Sequence, residues 1–374
     1  MRIGFDAKRA FTNNTGLGNY SRDTIRILSK SFKKEDFYLY TPKESYNQRL
    51  NFIKDRLNIH IKTPKNIFNS LLSSYWRSKK VLKDLIEDKI DIYHGLSHEI
   101  PIGIEQTNIR SVVTIHDLIY LRYPKLFSSI DRKIYDEKFR SACIRANSII
   151  AVSEQTKQDI ISFFKIPEKK IQVVYQGCSE IFQQEMDKQE IHKVNEKYNV
   201  FNNFLLYVGT IEERKNLLTL LQSLKQLPQY NLIIIGDGKK YKQECMQYIK
   251  ENNLTQRTNI LSGLTLHEMA CMYQQAQMLI YPSLFEGFGI PIIEALFSKT
   301  PVITSKGGCF HEAGGPDSIY IDPKSSEEIV TAIKNIDKDK DLREKMINNG
   351  YNYVQKFTDE KIATNLMKFY KSLI

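Results

Sequence analysis

The sequence predicts an α/β protein with two doubly wound, Rossmann-like domains, and three observations lead to that prediction. The chain has 374 residues, which favours two domains over one. Short, nearly continuous apolar runs alternate with longer amphipathic segments, which is typical of parallel sheets covered on both faces by helices. The alternation occurs twice, with a polar stretch between the two halves. Because ligands bind at the carboxyl ends of strands in this architecture, we expect a site in a cleft that the two domains face.

The first half follows this scheme from the second residue onward. Helical spacing of apolar residues predicts helices at 19–31, 68–87 and 130–145. Six apolar runs predict strands at 2–5, 37–40, 90–94, 111–115, 148–152 and 172–175.

The second half repeats the alternation. Predicted strands lie at 204–208, 231–235, 259–261, 278–281, 301–304 and 318–321, and predicted helices at 216–225, 239–251, 266–275, 292–297 and 326–335. Residues 183–197 are polar with few apolar anchors and indicate a linker. We therefore predict domains at 1–185 and 186–355, followed by a C-terminal helix in 356–374 that packs back on the first domain.

Composition indicates a soluble protein of a reducing compartment. The five cysteines are scattered without a CxxC pair, which argues against disulfides and against a zinc site. No apolar run approaches the roughly 20 residues of a membrane span. The first residues read as a strand and not as a signal peptide, so we expect a cytoplasmic protein.

The net charge of +11 is concentrated in the first half. Residues 1–190 hold 32 Lys and Arg against 23 Asp and Glu, a net charge of +9, whereas residues 191–374 hold 22 against 20, or +2. This asymmetry indicates an anionic partner such as a membrane surface or lipid phosphate; a solvated lysine-rich surface explains it equally well. No motif supports nucleic-acid binding, so we predict no nucleic-acid partner.

A segment with apolar, aromatic and basic residues falls in this basic half. It places Phe68, Leu71, Leu72, Tyr75 and Trp76 beside a run of cations, Arg77, Lys79, Lys80 and Lys83. A basic amphipathic helix of this kind lies on anionic membranes, which would make the protein peripheral to the inner face of the cell membrane. The alternative is a helix whose apolar side packs on its own sheet.

The most informative motif is the glycine loop at 283–294. It places Glu286 in the loop and Glu294 after seven intervening residues. Pro291 stands where the first turn of a helix begins, a position that tolerates proline. Gly287 and Gly289 let the backbone approach a ligand, and the free N–H groups of the helix start suit phosphate or sugar oxygens. The two carboxylates suit sugar hydroxyls, which need acceptors.

Two cations follow the first strand of the second domain. Gly209 begins the turn after that strand, and Arg214 and Lys215 stand immediately before a predicted helix. Cations beside a helix N-terminus form a diphosphate site, although a solvated charged cap has the same pattern.

Three further candidates lie in the first domain. Gly16 and Gly18 fall between the first strand and the first helix, where a backbone can approach phosphate or sugar; a plain flexible loop is the alternative. His116 and Asp117 follow an apolar strand and His94 ends another, so these polar groups are expected to face the cleft, with His94 and Asp117 as candidates for the acceptor side. A neutral histidine there would donate to a sugar hydroxyl or carbonyl, and a structural histidine is the alternative.

Taken together, these motifs resemble those of retaining family-4 glycosyltransferases of the GT-B fold, and in particular bacterial polysaccharide mannosyltransferases. The resemblance spans almost the whole chain, through residues 16–20, 114–118, 152–154, 209–216, 236–238, 261–263 and 286–294. Three positions depart from the family pattern: Glu213 in place of proline, Gln176 in place of asparagine, and His311 in place of proline. These departures leave acceptor contacts and loop shape open.

The resemblance implies a role for each matching residue. Arg214 and Lys215 would hold the donor diphosphate, Glu286 the transferred sugar, and Glu294 the ribose. His116 would line the reaction centre. Further donor contacts would come from Gly16, Gly18, Gly209, Leu264, Phe288, Gly289 and Ile290. The implied reaction moves a hexose, with mannose from GDP-mannose favoured, to a glycan or lipid-linked acceptor, with the nucleotide sugar as co-substrate and no cofactor.

Other classes of protein remain as alternatives. A non-catalytic GT-B-like subunit would be expected to lose a glutamate or the Arg214–Lys215 pair, and this chain keeps them. A nicotinamide-dependent Rossmann enzyme would carry the full glycine fingerprint, whereas Ser21 occupies the third glycine position. No Asp-x-Asp is placed for a metal, so we predict a metal-independent reaction.

Overall fold

A computed structural model describes residues 1–45, 48–64 and 73–374. The chain divides into two compact units, Met1–Gln176 with Asp359–Ile374, and Gly177–Thr358. Each unit contains one parallel sheet, so the predicted architecture of two doubly wound domains is confirmed. Phe68, Leu71 and Leu72 lie outside the described residues. Within the described ranges, no helix is both long and apolar enough to cross a membrane.

The first unit is built on a seven-stranded sheet. Its strands are β1 (Arg2–Asp6), β2 (Asp36–Tyr40), β3 (Ile59–Lys62), β4 (Ile92–Gly95), β5 (Arg110–Ile115), β6 (Ser148–Ala151) and β7 (Ile171–Val173), in the order β3-β2-β1-β4-β5-β6-β7. Strand β3 is absent from the sequence prediction, because Ile59 and Ile61 alternate with polar residues in a short edge strand that is only half-buried. In the described part of this unit, the α-helices of eight or more residues are Gly16–Ser31, Ser129–Arg145, Glu154–Phe164 and Asp359–Lys371.

The second unit is built on a six-stranded sheet. Its strands are β8 (Phe204–Val208), β9 (Asn231–Ile235), β10 (Thr258–Leu261), β11 (Met278–Tyr281), β12 (Val302–Ser305) and β13 (Ile319–Ile321), in the order β10-β9-β8-β11-β12-β13. Strands β8 and β11 are buried throughout, as their continuous apolar sequences predict. The longer helices are Lys188–Tyr198, Leu217–Leu224, Lys240–Glu251, Leu266–Gln275, Ile290–Phe297, Ser326–Lys338 and Lys340–Val354.

The predicted linker at 183–197 is wrong for most of its length. Residues Lys188–Tyr198 form a helix, which begins at Asp187 with a side chain that accepts a hydrogen bond from the backbone of Gln189. Val194 is buried, and Asn195 donates to Gln275 at 2.8 Å. One buried apolar side chain and a few polar contacts hold this helix, which is why hydrophobic periodicity missed it.

The unit boundaries differ slightly from the predicted ones. The first unit ends at 176, nine residues before the predicted boundary at 185, and the chain returns to it at 359, three residues after 356. Phe182 explains the first difference, because its fully buried ring packs edge-on against Tyr273 of the second unit at 5.6 Å. At the other end, Asp359 pairs with Arg26 of the helix Gly16–Ser31, which places the helix Asp359–Lys371 in the first unit.

The predicted helix at 68–87 is described only from Ser73 onward. A short helical turn, Ser73–Tyr75, leads into a π-helical turn at Trp76–Lys80 and then into the helix Val81–Glu87. Trp76 is 1% exposed and donates through Nε1 to Asp84 at 2.9 Å. Its ring therefore packs in the core of the first unit, which favours the alternative in which this segment packs on its own sheet.

Candidate functional site

The order of the second sheet decides which loops meet. The strand order reverses between β8 and β11, and in doubly wound sheets ligands bind beyond the carboxyl ends of the strands at this reversal. The loop after β8 carries Arg214 and Lys215, and the loop after β11 carries Glu286. The loops are joined directly, because the backbone of Leu284 donates to the carbonyl of Arg214 at 2.8 Å. Residues 70 positions apart in sequence thus share one edge.

Glu286 joins both cations in one buried cluster. Its Oε1 lies 2.6 Å from Lys215 Nζ, and its Oε2 lies 2.8 Å from Arg214 Nη1. Ser283 also donates its hydroxyl to Oε1. All three charged side chains are less than 15% exposed. The sequence predicted these three residues as separate contacts to a ligand, and the structure shows that they also contact one another.

Neighbouring charges set the ionisation of this cluster. Burial by itself would raise the pKa of Glu286, but Lys215 and Arg214 outweigh it and lower that pKa to about 2. Burial lowers the pKa of Lys215, which the charge of Arg214 reinforces and the charge of Glu286 opposes. The cluster therefore contains the carboxylate of Glu286 and two cations, and Arg214 also pairs through Nη2 with the more exposed Glu212. Two cations held this close together suit the diphosphate of a nucleotide sugar.

Backbone geometry fixes the two cations. Gly209 has φ +149°, and a Cβ there would lie 3.7 Å from Lys215 Nζ, so the turn after β8 passes close to that ammonium group. Asn216 follows in the left-handed region at φ +58° and donates through Nδ2 to the carbonyl of Pro282 at 3.1 Å. Lys215 Nζ also donates to the Tyr281 hydroxyl at 2.7 Å. Tyr281 was missed by sequence reasoning, although it is the last residue of β11.

The glycine loop leads into the helix Ile290–Phe297 as predicted. Gly289 precedes this helix with φ +126°, a conformation that residues with a Cβ rarely adopt, and Pro291 lies in its first turn. Phe288 is 3% exposed, and its carbonyl accepts a hydrogen bond from Cys309 Sγ at 2.8 Å. Cys309 thus contacts the glycine loop through this hydrogen bond, and no sequence signal identified it.

Glu294 lies on the same helix and is oriented by a residue that sequence reasoning missed. The side chain of Glu294 is 8% exposed, and its Oε2 accepts a hydrogen bond from the Tyr273 hydroxyl at 2.8 Å. Tyr273 is fully buried on the helix Leu266–Gln275. The predicted base contact Leu264 lies just before that helix, after Gly263 with φ +76°. The Tyr273 hydroxyl thus helps to orient this carboxylate.

In the first unit, Gly16 and Gly18 form the first turn of the helix Gly16–Ser31 rather than a flexible loop. A Cβ at Gly18 would lie 1.8 Å from the carbonyl oxygen of Asn13, whereas a Cβ at Gly16 would meet nothing within 4 Å. The backbone N–H of Gly18 donates to Asn13 Oδ1 at 3.2 Å. Glycine at 18 is therefore required by the close approach of the preceding loop.

His116 lies just beyond β5 in a defined tautomer. Its Nε2 lies 2.9 Å from the carbonyl of Leu96, so this nitrogen carries the proton and donates it. Burial lowers the pKa of His116 to about 4, which keeps the ring neutral at pH 7. Nδ1 is then an acceptor, and no hydrogen bond reaches it from the described part of the chain. The sequence prediction had this ring donating to a sugar; the geometry makes it an acceptor.

The other two first-unit candidates have protein partners. His94 is fully buried, with Nδ1 2.6 Å from the Tyr370 hydroxyl and Nε2 2.7 Å from Thr114 Oγ1. In this structure His94 is therefore a core histidine and not an acceptor contact. Asp117 accepts a hydrogen bond from the backbone of Ile119 at 3.1 Å and shapes the turn after β5.

No metal-binding cluster accompanies these residues in the described ranges, where no three His, Cys, Asp or Glu side chains are arranged to hold an ion.

Two family profiles match the chain, one for each half. Residues 16–180 match "Glycosyltransferase Family 4" and residues 187–353 match "Glycosyl transferases group 1". Among curated relatives, the O-antigen chain mannosyltransferase RfbU of Salmonella typhimurium is 30% identical over 285 residues, which cover 76% of this chain and 74% of that protein. The O-antigen chain mannosyltransferase B of Escherichia coli is 26% identical and covered over its full length. The chain belongs to the family-4 glycosyltransferases.

Solved structures agree on the fold. A glycosyltransferase from Rickettsia africae has a TM-score of 0.77 at 18% identity and covers 100% of this chain and 98% of its own. Anabaena Alr3699/HepE, solved in complex with UDP-glucose, has the same TM-score and identity, with both chains covered completely. The fold is therefore GT-B, as the sequence motifs implied.

Proposed function

We propose that this glycosyltransferase moves a hexose, with mannose from GDP-mannose favoured, from a nucleotide diphosphate sugar to a hydroxyl of a growing surface polysaccharide or lipid-linked oligosaccharide. The reaction retains the anomeric configuration and needs no metal ion. The observation that carries this proposal is the buried cluster of Arg214, Lys215 and Glu286 at the strand reversal of the second sheet. The choice of mannose is supported by the names of the two O-antigen mannosyltransferases.

The cluster supplies the electrostatics that departure of a nucleoside diphosphate requires. When the bond between the sugar and the phosphate breaks, negative charge grows on the phosphate oxygens. Arg214 and Lys215 are already fixed by Glu286 and by backbone contacts, so they stabilise this charge without reorganising. A carboxylate offers about four acceptor positions. Ser283, Lys215 and Arg214 already contact Glu286, so a sugar hydroxyl would share this carboxylate with them.

Retention follows if the acceptor attacks from the face that the diphosphate leaves. The acceptor oxygen then forms the new bond to the anomeric carbon as the bond to phosphate breaks, and its proton passes to a departing phosphate oxygen. In this scheme Glu294 receives a ribose hydroxyl, with its orientation set by Tyr273. His116 accepts a hydrogen bond from a sugar hydroxyl through Nδ1.

Donor screening tests the proposal. Thermal unfolding with GDP-mannose, GDP-glucose, UDP-glucose and the free nucleotides should show the largest stabilisation by GDP-mannose, because bound ligand stabilises the folded state. Slow release of GDP from GDP-mannose, without added metal and in EDTA, should follow. Stabilisation by UDP-sugars alone would contradict GDP-mannose as the donor and favour a UDP-sugar. Binding without any turnover would favour a non-catalytic subunit.

We also propose that the enzyme works at the cytoplasmic face of the membrane, where a lipid-linked acceptor would be found. The support is the +9 charge of residues 1–190. Co-sedimentation with anionic vesicles tests it, and a Lys79/Lys80/Lys83→Glu variant should reduce binding. Equal recovery with neutral vesicles, or no binding at low salt, would contradict it.

A further inference from the structure

The first sheet has its own strand reversal, between β1 and β4, and the loops beyond it carry an unusual set of polar groups. Lys8 and Arg9 follow β1, and Ser97 and His98 follow β4. The two strands are paired directly, with Phe5 opposite His94, so both loops leave the same edge of the sheet. This edge is where a doubly wound domain binds ligands.

The charges at this edge do not balance. Two carboxylates, Asp6 and Glu99, lie at this edge, and each pairs with other cations. Arg77 lies 2.8 Å from Asp6 and 3.2 Å from Glu99, and Lys138 lies 3.6 Å from Glu99. Lys8 and Arg9 are half-buried and form no ion pair with any described residue. Four cations against two carboxylates leave a net charge of +2. Burial and then the charge of Arg77 lower the pKa of Lys8, so this excess is costly in the absence of an anion.

Buried polar side-chain atoms at the same edge also lack hydrogen-bond partners among the described residues. Ser97 Oγ and His98 Nδ1 are buried and unsatisfied in the part of the chain that is described. Each such group costs about 1–3 kcal/mol. His98 also has φ +64°, which is rare for a residue with a Cβ. Two adjacent unsatisfied side chains, one of them on a residue with positive φ, indicate a site whose partner arrives from outside the protein.

His98 is nevertheless held in place. Its ring stacks on Phe139 with centroids 4.1 Å apart and meets the ring of His116 edge-on at 5.1 Å. Its backbone N–H donates to the carbonyl of Thr114 at 3.0 Å. The unsatisfied pair therefore lies directly beside the histidine that the proposed reaction uses, and within the same unit.

We propose that Lys8, Arg9 and the Ser97–His98 pair form a phosphoryl subsite, which binds a phosphate or diphosphate group of the acceptor. This inference rests on the proposed function, because it names the substrate class at its acceptor side. Two groups at the subsite carry positive charge and the other two are able to donate hydrogen bonds, and a neutral sugar would leave the net charge of +2 unanswered. A phosphate oxygen supplies the missing acceptors to the hydroxyl and the imidazole. The acceptor therefore carries its phosphate close to the hydroxyl that is glycosylated.

Calorimetry with inorganic pyrophosphate tests the subsite directly on the full chain. Wild type should bind at two sites, one of which is lost in Arg214→Ala and the other in a Lys8→Ala/Arg9→Ala variant, with a loss of about tenfold or more per cation. A His98→Phe variant keeps the stacked ring and should weaken the second site alone. Lys33→Ala/Lys34→Ala is the matched control, since it removes two exposed cations beyond the opposite, amino-terminal edge of β2. Unchanged pyrophosphate binding by the Lys8/Arg9 variant overturns the subsite.

Transfer assays separate acceptor phosphate from other sources of phosphate. The same sugar is offered as an alkyl glycoside and as a glycosyl phosphate alkyl ester. The Lys8/Arg9 variant should raise KM for the phosphate ester about tenfold or more, with KM for the glycoside and for the donor unchanged. Equal KM changes for both acceptors, or a change in donor KM, would overturn the assignment to the acceptor. If wild type does not bind the nucleotide sugar at all, that result would instead count against the proposed function.

Discussion

Replacing Glu286 by glutamine removes the charge that holds the two cations of the donor site. The amide has nearly the same shape and still accepts one hydrogen bond, but it leaves Lys215 without its carboxylate and Arg214 with only the more exposed Glu212. We expect three effects: lower stability of the fold, retained binding of nucleoside diphosphate, and loss of sugar transfer. Binding is retained because the diphosphate itself neutralises the two freed cations.

The size of the stability effect follows from the pKa of Glu286. That pKa is about 2 in the folded protein against an ordinary value of 4.5, a difference that corresponds to roughly 3 kcal/mol. Because the pKa is depressed on folding, this contribution is fully present above pH 4.5. It is lost as the pH falls from about 4.5 towards 2. Glu286→Gln should therefore lower the free energy of unfolding by roughly 3 kcal/mol at pH 7, with a smaller difference from wild type at pH 3.

Urea unfolding of wild type and variant at pH 7, 5 and 3 measures this difference, and calorimetry with nucleoside diphosphate measures binding. The variant should bind the diphosphate at least as tightly as wild type while transfer falls about 100-fold or more. Lys215 should also lose its proton at lower pH in the variant, since the charge of Glu286 raises its pKa. A stability difference that is absent, or equal at pH 7 and pH 3, would refute the electrostatic role of Glu286.

Three further substitutions test residues that hold His94, Glu294 and the loop before the helix Gly16–Ser31 in place. Tyr370→Phe leaves His94 Nδ1 buried without its partner and should lower the free energy of unfolding by about 1–3 kcal/mol in urea, with no change in donor KM. Tyr273→Phe removes one hydrogen bond that orients the Glu294 carboxylate and should weaken GDP binding severalfold in calorimetry; unchanged affinity would count against the ribose contact of Glu294. Gly18→Ala should destabilise the fold by about 1–3 kcal/mol, since its Cβ would meet the Asn13 carbonyl at 1.8 Å, whereas the control Gly16→Ala should be neutral.

The sequence predicted the strands best where they are continuous and buried. Strands β8, β9 and β11 occur at the predicted residues, because their apolar runs leave no alternative pattern. The edge strand β3 and the helix Lys188–Tyr198 were missed, since each buries few apolar side chains. Local pattern is weak evidence where tertiary contacts, and not periodicity, hold an element.

The candidate site shows the same division. Glu286, Arg214 and Lys215 were recognisable because charged residues follow two strand ends. Their contact with one another depends on sheet order, which places β8 beside β11 and which no local pattern encodes. Tyr273 is a buried tyrosine in an ordinary helix, so its role in orienting Glu294 was visible only in three dimensions. His94 is the opposite case: its place at a strand end suggested a ligand contact, but its partner Tyr370 lies 276 positions away.

The two strand reversals meet the problem of buried positive charge in different ways. In the second unit, Glu286 neutralises part of the charge of Arg214 and Lys215, so the unliganded site remains stable and the donor diphosphate completes it. In the first unit, the carboxylates Asp6 and Glu99 pair with other cations, and Lys8 and Arg9 form no ion pair of their own among the described residues. A carboxylate within a site lowers the electrostatic cost of its cations when no ligand is bound. A site without such a carboxylate is stabilised more by the binding of an anion. Added salt screens the attraction between a phosphate and the cations that bind it. Salt should therefore weaken phosphate binding more at the first-unit subsite, where no carboxylate of the described residues pairs with Lys8 or Arg9.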